Sequence, residues 1–108
     1  MLAQGAKKLT NIHGASEHES IIEIEDMVRS ISRLLVDNPD EVSVHRAQGD
    51  GFYHLEVVCD ENDAGALIGQ RGRHAKAIRL LAMRAATVRG IRVTVNILSR
   101  DQHALGPK

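Results

Sequence analysis

A chain of 108 residues with 43% hydrophobic content has room for one domain with a modest core. Its 14 basic and 14 acidic residues cancel, no apolar run is long enough for a membrane span, and the N-terminus lacks the apolar stretch of a secretory signal. A single cysteine, Cys59, rules out an internal disulfide and fits a reducing cytoplasm, so a cytoplasmic protein is expected.

Residues 1–16 show no sustained period and carry turn formers, which predicts a flexible N-terminal tail. Over residues 17–37, Ile21, Ile24, Val28, Ile31 and Leu35 step by three or four and predict an amphipathic helix. Two capping boxes, Ser16 with Glu19 and Ser20 with Glu23, leave its start uncertain by a turn. Asp37-Asn38-Pro39-Asp40 stops it. Ile22, Met27 and Leu34 widen the apolar stripe and are expected to be core, with a protein contact as the alternative.

Residues 41–59 read as a β-hairpin turning at Gln48-Gly49-Asp50-Gly51, with Val42 and Val44 alternating in the first strand. Tyr53, Leu55, Val57 and Cys59 share one face of the second, which makes Cys59 a small core residue rather than a nucleophile. His45 and His54 are expected near each other across the hairpin. The six histidines are scattered, without Cys or carboxylate at ligand spacing, so surface histidines are expected and no metal site.

Asp60-Glu61-Asn62-Asp63 offers N-caps for a short helix ending at Leu67 or Ile68. Gly69 and Gly72 then enclose Gln70 and Arg71. Two glycines at this spacing let the backbone turn tightly and bring main chain close to a ligand. The next helix, about Arg73 to Arg89, is expected to bury Ile78, Leu81, Ala82, Ala85 and either Val88 or Ala86. Gly90 suits a helix C-terminus; Ile91, Val93, Val95 and Ile97 alternate as a third strand, and residues 101–108 are expected as a flexible polar tail.

Charge is segregated along this order. Residues 1–63 hold five Lys/Arg against thirteen Asp/Glu, whereas residues 64–100 hold eight Lys/Arg and no acid. A net of −8 followed by +8 makes a local positive field inside a neutral chain. A basic turn opening a helix suits a sugar-phosphate backbone, because free N–H groups and the positive dipole end point into it.

The string Ile68-Gly69-Gln70-Arg71-Gly72-Arg73, followed by Lys76 and Ile78, resembles the K-homology (KH) domain. Within that superfamily the chain is similar to the small bacterial single-KH proteins of the KhpA family, over about residues 20–98. The resemblance supports an α+β fold of type II, α-β-β-α-α-β, for residues 17–100, with helices on one face of a three-stranded sheet. It implies single-stranded RNA binding without catalysis, about four nucleotides being gripped by the G-x-x-G loop. Gly69 and Gly72 would admit phosphates, Gln70, Arg71 and Arg73 would supply hydrogen bonds and charge, and Lys76 would neutralise a further phosphate. Leu67, Ile68 and Ile78 would form an apolar floor.

His74 departs from the aliphatic or small residue common in the family and is expected to be an exposed, tolerated site. The family further implies an RNA chaperone or post-transcriptional role linked to cell elongation and division. It also implies self-association and a complex with the larger KH protein KhpB (Jag or EloR). A KH-fold protein-interaction module is the alternative reading, and single-stranded DNA stays open as a ligand. No paired carboxylates, nucleophile–base set or phosphate loop of the G-x-x-x-x-G-K type supports an enzyme, and no cofactor is expected.

Overall fold

The computed structural model describes residues 14–104, with side chains from Glu17 onward; the expected tails lie outside it for residues 1–13 and 105–108. Helix α1 (Gly14–Leu34) begins earlier than the sequence predicts, so the Ser20–Glu23 capping box falls inside it. Ile21, Ile24 and Val28 are buried, and Ile31, Leu35 and Met27 pack against them. Ile22 and Leu34 are exposed instead of joining the core. The helix also ends three residues short of Asp37. The Asp37 and Asn38 amides donate to the carboxylate of Asp63 (3.2 and 3.1 Å), as does Asn38 Nδ2 at 3.1 Å. Asp63 is itself buried, so this carboxylate ties the end of α1 to the segment leading into the next helix.

After a 3₁₀ turn at Pro39–Glu41, strand β1 (Ser43–Gly49) runs antiparallel to β2 (Phe52–Cys59). Gly49 opposite Phe52 leaves a two-residue loop, Asp50-Gly51, with φ of 58° and 79°. Positive φ at both positions is the type I′ turn that matches the strand twist. The register sets His45 opposite Glu56 and His54 opposite Ala47, which makes the two histidines diagonal neighbours on one face rather than a direct pair. His54 instead bonds Thr94 Oγ1 at 2.8 Å, and His45 stacks on His103 with centroids 4.7 Å apart.

Tyr53, Leu55, Val57 and Cys59 are all buried on one face of β2, as their alternation predicts. The Tyr53 hydroxyl donates to Glu17 (2.8 Å), and this bond, then burial, holds its pKa above the ordinary tyrosine value. Burial pushes the Cys59 thiol up, with Asp63 and Asp60 adding to it, so the thiolate needed for reactivity is disfavoured.

A 3₁₀ turn at Glu61–Asp63 is capped by Asp60, which accepts from the Asn62 amide at 2.8 Å. Helices α2 (Ala64–Ile68) and α3 (Arg73–Val88) follow, and the chain returns as β3 (Val93–Ser99), parallel to β2. The sheet order is β1-β2-β3. The α-β-β-α-α-β order and the mixed three-stranded sheet are those expected.

Helix α3 buries Ala75, Ile78, Ala82 and Ala86, whereas Leu81 and Val88 are exposed. Ile78, Ala82 and Ala86 of the expected face are thus core and Ala85 packs against it, while Leu81 and Val88 fall outside. Three alanines mark the true stripe, and small residues let the helix approach the sheet closely. At the C-terminus of α3, Gly90 N–H reaches the Thr87 carbonyl (3.1 Å) and Ile91 N–H the Ala86 carbonyl (3.0 Å). With φ of 75° at Gly90, this is a Schellman stop.

Residues 101–104, expected as tail, belong to a short helix α4 (Arg100–Ala104). Ser99 and Gln102 cap it reciprocally: Ser99 N–H donates to Gln102 Oε1 (2.9 Å), and Gln102 N–H to Ser99 Oγ (3.5 Å). Arg100 pairs with Glu41 and, at 3.6 Å, with Asp60.

Two substitutions test the polar core with opposite signs. Asp63→Ala strands three donors and is expected to lower stability by about 2–4 kcal/mol. The Ser32 hydroxyl is fully buried with no hydrogen-bond partner among the described residues, so Ser32→Ala is expected to raise stability by about 1 kcal/mol. Urea denaturation followed by circular dichroism measures both.

Candidate nucleic-acid interface

The turn between α2 and α3 is built from backbone conformations that most residues avoid. Gly69 lies at φ 83°, ψ 164°, a region essentially restricted to glycine. Arg71 (φ 59°, ψ 24°) and Gly72 (φ 73°, ψ 19°) are both left-handed. One bond closes the turn, from Gly72 N–H to the Gly69 carbonyl at 2.9 Å. Left-handed geometry at Arg71 costs about 1–2 kcal/mol and holds the guanidinium-bearing residue at the apex of the turn.

Gly72 is the N-cap of α3 and offers no side-chain cap, while Arg73 N–H turns back to the Gln70 carbonyl. The remaining first-turn amides of this 16-residue helix are left for solvent or an anion.

The structure brings Gln70, Arg71, Arg73 and Lys76 together as exposed side chains on this turn and the first turn of α3. Ile68 beside them is 37% exposed, an apolar surface at the edge of the loop. Leu67 and Ile78 are different. At 0% and 2% exposure they belong to the core, and their side chains are not available to a ligand. Both lie one helical position from an exposed neighbour, and the alternation of the segment could not separate the two roles.

The basic residues of 64–100 divide into two groups. Arg79 Nε donates to the Val95 carbonyl (3.0 Å), Arg89 pairs with Glu23 (3.2 Å), Arg92 lies over the Phe52 ring (5.4 Å), and Arg100 pairs with Glu41. Arg71, Arg73, Lys76 and Arg84 have no ion pair or hydrogen bond among the described residues. Three of these four sit at the turn. Arg84 lies eleven residues, about three helical turns, beyond Arg73 and so on the same line of α3.

His74 is exposed, as expected, but it also has a structural task. Its Nδ1 is 2.7 Å from the Ala66 carbonyl, and its ring lies against Gly69.

Among the described residues no group of three or more His, Cys, Asp or Glu is placed to hold a metal ion. No helix among them is long and apolar enough to cross a membrane.

A mixed three-stranded sheet backed by helices, with a G-x-x-G turn joining two of them, defines a KH domain. Residues 25–97 match the family model described as "KhpA/KhpB, KH domain", and the chain belongs to that family. It is accordingly a non-catalytic domain. It is 40% identical over 73 residues to the RNA-binding protein KhpA of Caldanaerobacter subterraneus subsp. tengcongensis, covering 68% of this chain and 97% of the relative. It is 39% identical over 75 residues to that of Clostridium acetobutylicum, covering 69% of this chain and all of the relative.

Among solved structures, Aquifex aeolicus Era bound to GDP.AlF4- shares the fold with a TM-score of 0.54 and 22% identity, over 70% of this chain and 29% of that one. Era in complex with MgGDPNP and nucleotides 1506–1542 of 16S ribosomal RNA matches with a TM-score of 0.53, at the same identity and coverage.

The two glycines of the turn should respond unequally to a methyl group. A Cβ on Gly69 would meet the His74 backbone nitrogen at 2.8 Å, whereas one on Gly72 meets nothing within 4 Å. Gly69→Ala is expected to cost about 3 kcal/mol, and Gly72→Ala only the left-handed penalty of about 1 kcal/mol. Thermal denaturation of the two variants provides the comparison.

Proposed function

We propose that this protein binds single-stranded RNA, without catalysis, at the Gly69-Gln70-Arg71-Gly72 turn and the first turn of α3. One observation carries the reading: Arg71, Arg73 and Lys76, without partners among the described residues, surround a positive-φ turn at an uncapped helix N-terminus. That arrangement presents backbone donors and three cations to consecutive phosphates. Gln70 adds a side-chain amide, and Ile68 gives a base an apolar surface. About four nucleotides fit such a loop. The names of the relatives, RNA-binding protein KhpA, support RNA as the ligand. We extend the reading to a cytoplasmic role as an RNA chaperone or post-transcriptional regulator.

Aromatic residues are few, one Phe and one Tyr, and Tyr53 is buried, so stacking contributes little and phosphate contacts carry the affinity. With about three phosphates neutralised, log K against log salt should have a slope of about −2.

Fluorescence polarisation with short single-stranded RNA and DNA, at two salt concentrations, tests this. The combined Arg71→Ala, Arg73→Ala and Lys76→Ala variant is expected to fold and to lose binding. Gly72→Asp, whose Cβ has open space, is a cleaner loop variant than Gly69→Asp. Equal binding by the folded triple variant and the wild type would refute the site. Equal affinity for RNA and DNA would remove RNA selectivity from the reading.

A second reading, docking to another protein, is favoured by the apolar residues Leu80, Leu81, Met83 and Val88 left exposed on α3, together with Ile22 and Leu34 on α1. The partner would be a second copy of the chain or the larger KH protein KhpB. Sedimentation velocity over a concentration series, with Leu81→Lys as control, is expected to show self-association that the variant weakens. The two readings are compatible, since the turn and the middle of α3 are separate surfaces.

A further inference from the structure

The strained turn is held from outside by one side chain. Helix α2 has five residues, and its closing bond runs from Gly69 N–H to the Gly65 carbonyl at 2.8 Å. The next bond in helical register, from Gln70 N–H to the Ala66 carbonyl, is not made, because Gly69 turns the chain away at φ 83°. The Ala66 carbonyl is thus an orphan of the helix end. His74 reaches back across the loop and takes it, with Nδ1 at 2.7 Å. A carbonyl oxygen only accepts, so Nδ1 carries the hydrogen whether the ring is neutral or protonated.

The same ring covers Gly69. A Cβ built there would lie 2.7 Å from His74 Cγ and 2.9 Å from Nδ1, which shows how closely ring and backbone approach. The imidazole therefore bridges the end of α2 to the start of α3, and the intervening Gly69–Gly72 segment has little freedom left. The backbone adds two bonds of its own, from Gly72 N–H to the Gly69 carbonyl and from Arg73 N–H to the Gln70 carbonyl.

Resting on the RNA-binding reading above, we infer that His74 is a positioning residue for nucleic acid. Its Nδ1–H bond to the Ala66 carbonyl pre-orders the Gly69–Gly72 turn, so that the bare amides and Arg71 meet phosphates without first losing conformational entropy. Binding to a preorganised loop is tighter because that ordering is already done on folding. An aliphatic side chain at position 74 would cover Gly69 but leave the Ala66 carbonyl unpartnered. The requirement is thus for a donor, not merely for bulk.

Two substitutions separate these roles. Asn places Nδ2–H about where Nδ1–H stands, whereas Leu fills similar space with no donor. Amide hydrogen exchange at Gly72 reads the order of the turn, independently of any ligand. Polarisation with single-stranded RNA reads the affinity, and thermal melting checks the fold. His74→Leu is expected to lose Gly72 protection and to weaken RNA binding about fivefold, the scale of one hydrogen bond, with the fold retained. His74→Asn should keep both close to wild type.

Equal Gly72 protection in all three proteins would overturn the inference. So would wild-type RNA affinity in His74→Leu, or failure of His74→Asn to restore what Leu loses. If the wild type binds no RNA, the functional reading fails, and with it the role in binding. The exchange data would then still decide whether His74 orders the turn.

Discussion

The parallel pairing of β2 with β3 governs this fold. Two neighbouring strands that point the same way cannot be joined by a tight turn; the chain must leave one end of the sheet, cross it and re-enter at the other. In this protein the crossing is made by α2 and α3, which differ in length and direction and meet at a four-residue bend. A bend that short, between two helices both committed to the core through Leu67 and Ile78, has to use left-handed backbone. The glycines are consequences of topology first. Their suitability for contact with phosphate comes from the same geometry.

Electrostatics follow the same division of the chain. The acidic half supplies Glu23, Glu41 and Asp60, and these pair with Arg89 and Arg100, which lie far along the sequence from the bend. Arg79 and Arg92 are occupied by a carbonyl and an aromatic ring. What remains uncompensated is concentrated at the bend and along one line of α3. Zero net charge therefore conceals a positive field at one place, and a field of that kind guides an approaching polyanion to a particular end of the molecule.

Much of this was legible beforehand because the relevant signals are local. Alternation in β2, the Asp50-Gly51 turn, the Gly69–Gly72 spacing and the Gly90 stop are each encoded within a few residues. The misplacements share a different cause. Leu81 looks like core because it is large and apolar, and Val88 competes with Ala86 for the same reason, while Ala75, which is core, says little in a hydrophobicity pattern. Helix α1 ends at Leu34, and beyond it the Asp37 amide goes to a carboxylate 26 residues further along the chain, a partner that no local rule names. The short helix α4 did leave a local mark, the Ser99–Gln102 box, too brief to register as a period. At the candidate site, Leu67 and Ile68 are adjacent and chemically alike. Only the packing separates the buried one from the exposed one.

The bond from Arg79 to the Val95 carbonyl has a consequence for how copies of this protein coexist at high concentration. Strand β3 is an outermost strand of the sheet, and an outermost strand offers unpaired backbone groups to any other extended chain. Arg79 occupies one acceptor in the middle of that row and stands a charged, bulky group over it. A foreign strand aligning there would have to displace the guanidinium and bury its charge. Folding thus leaves the sheet with a guarded margin, and the residue that guards it comes from the basic helix rather than from the strand itself.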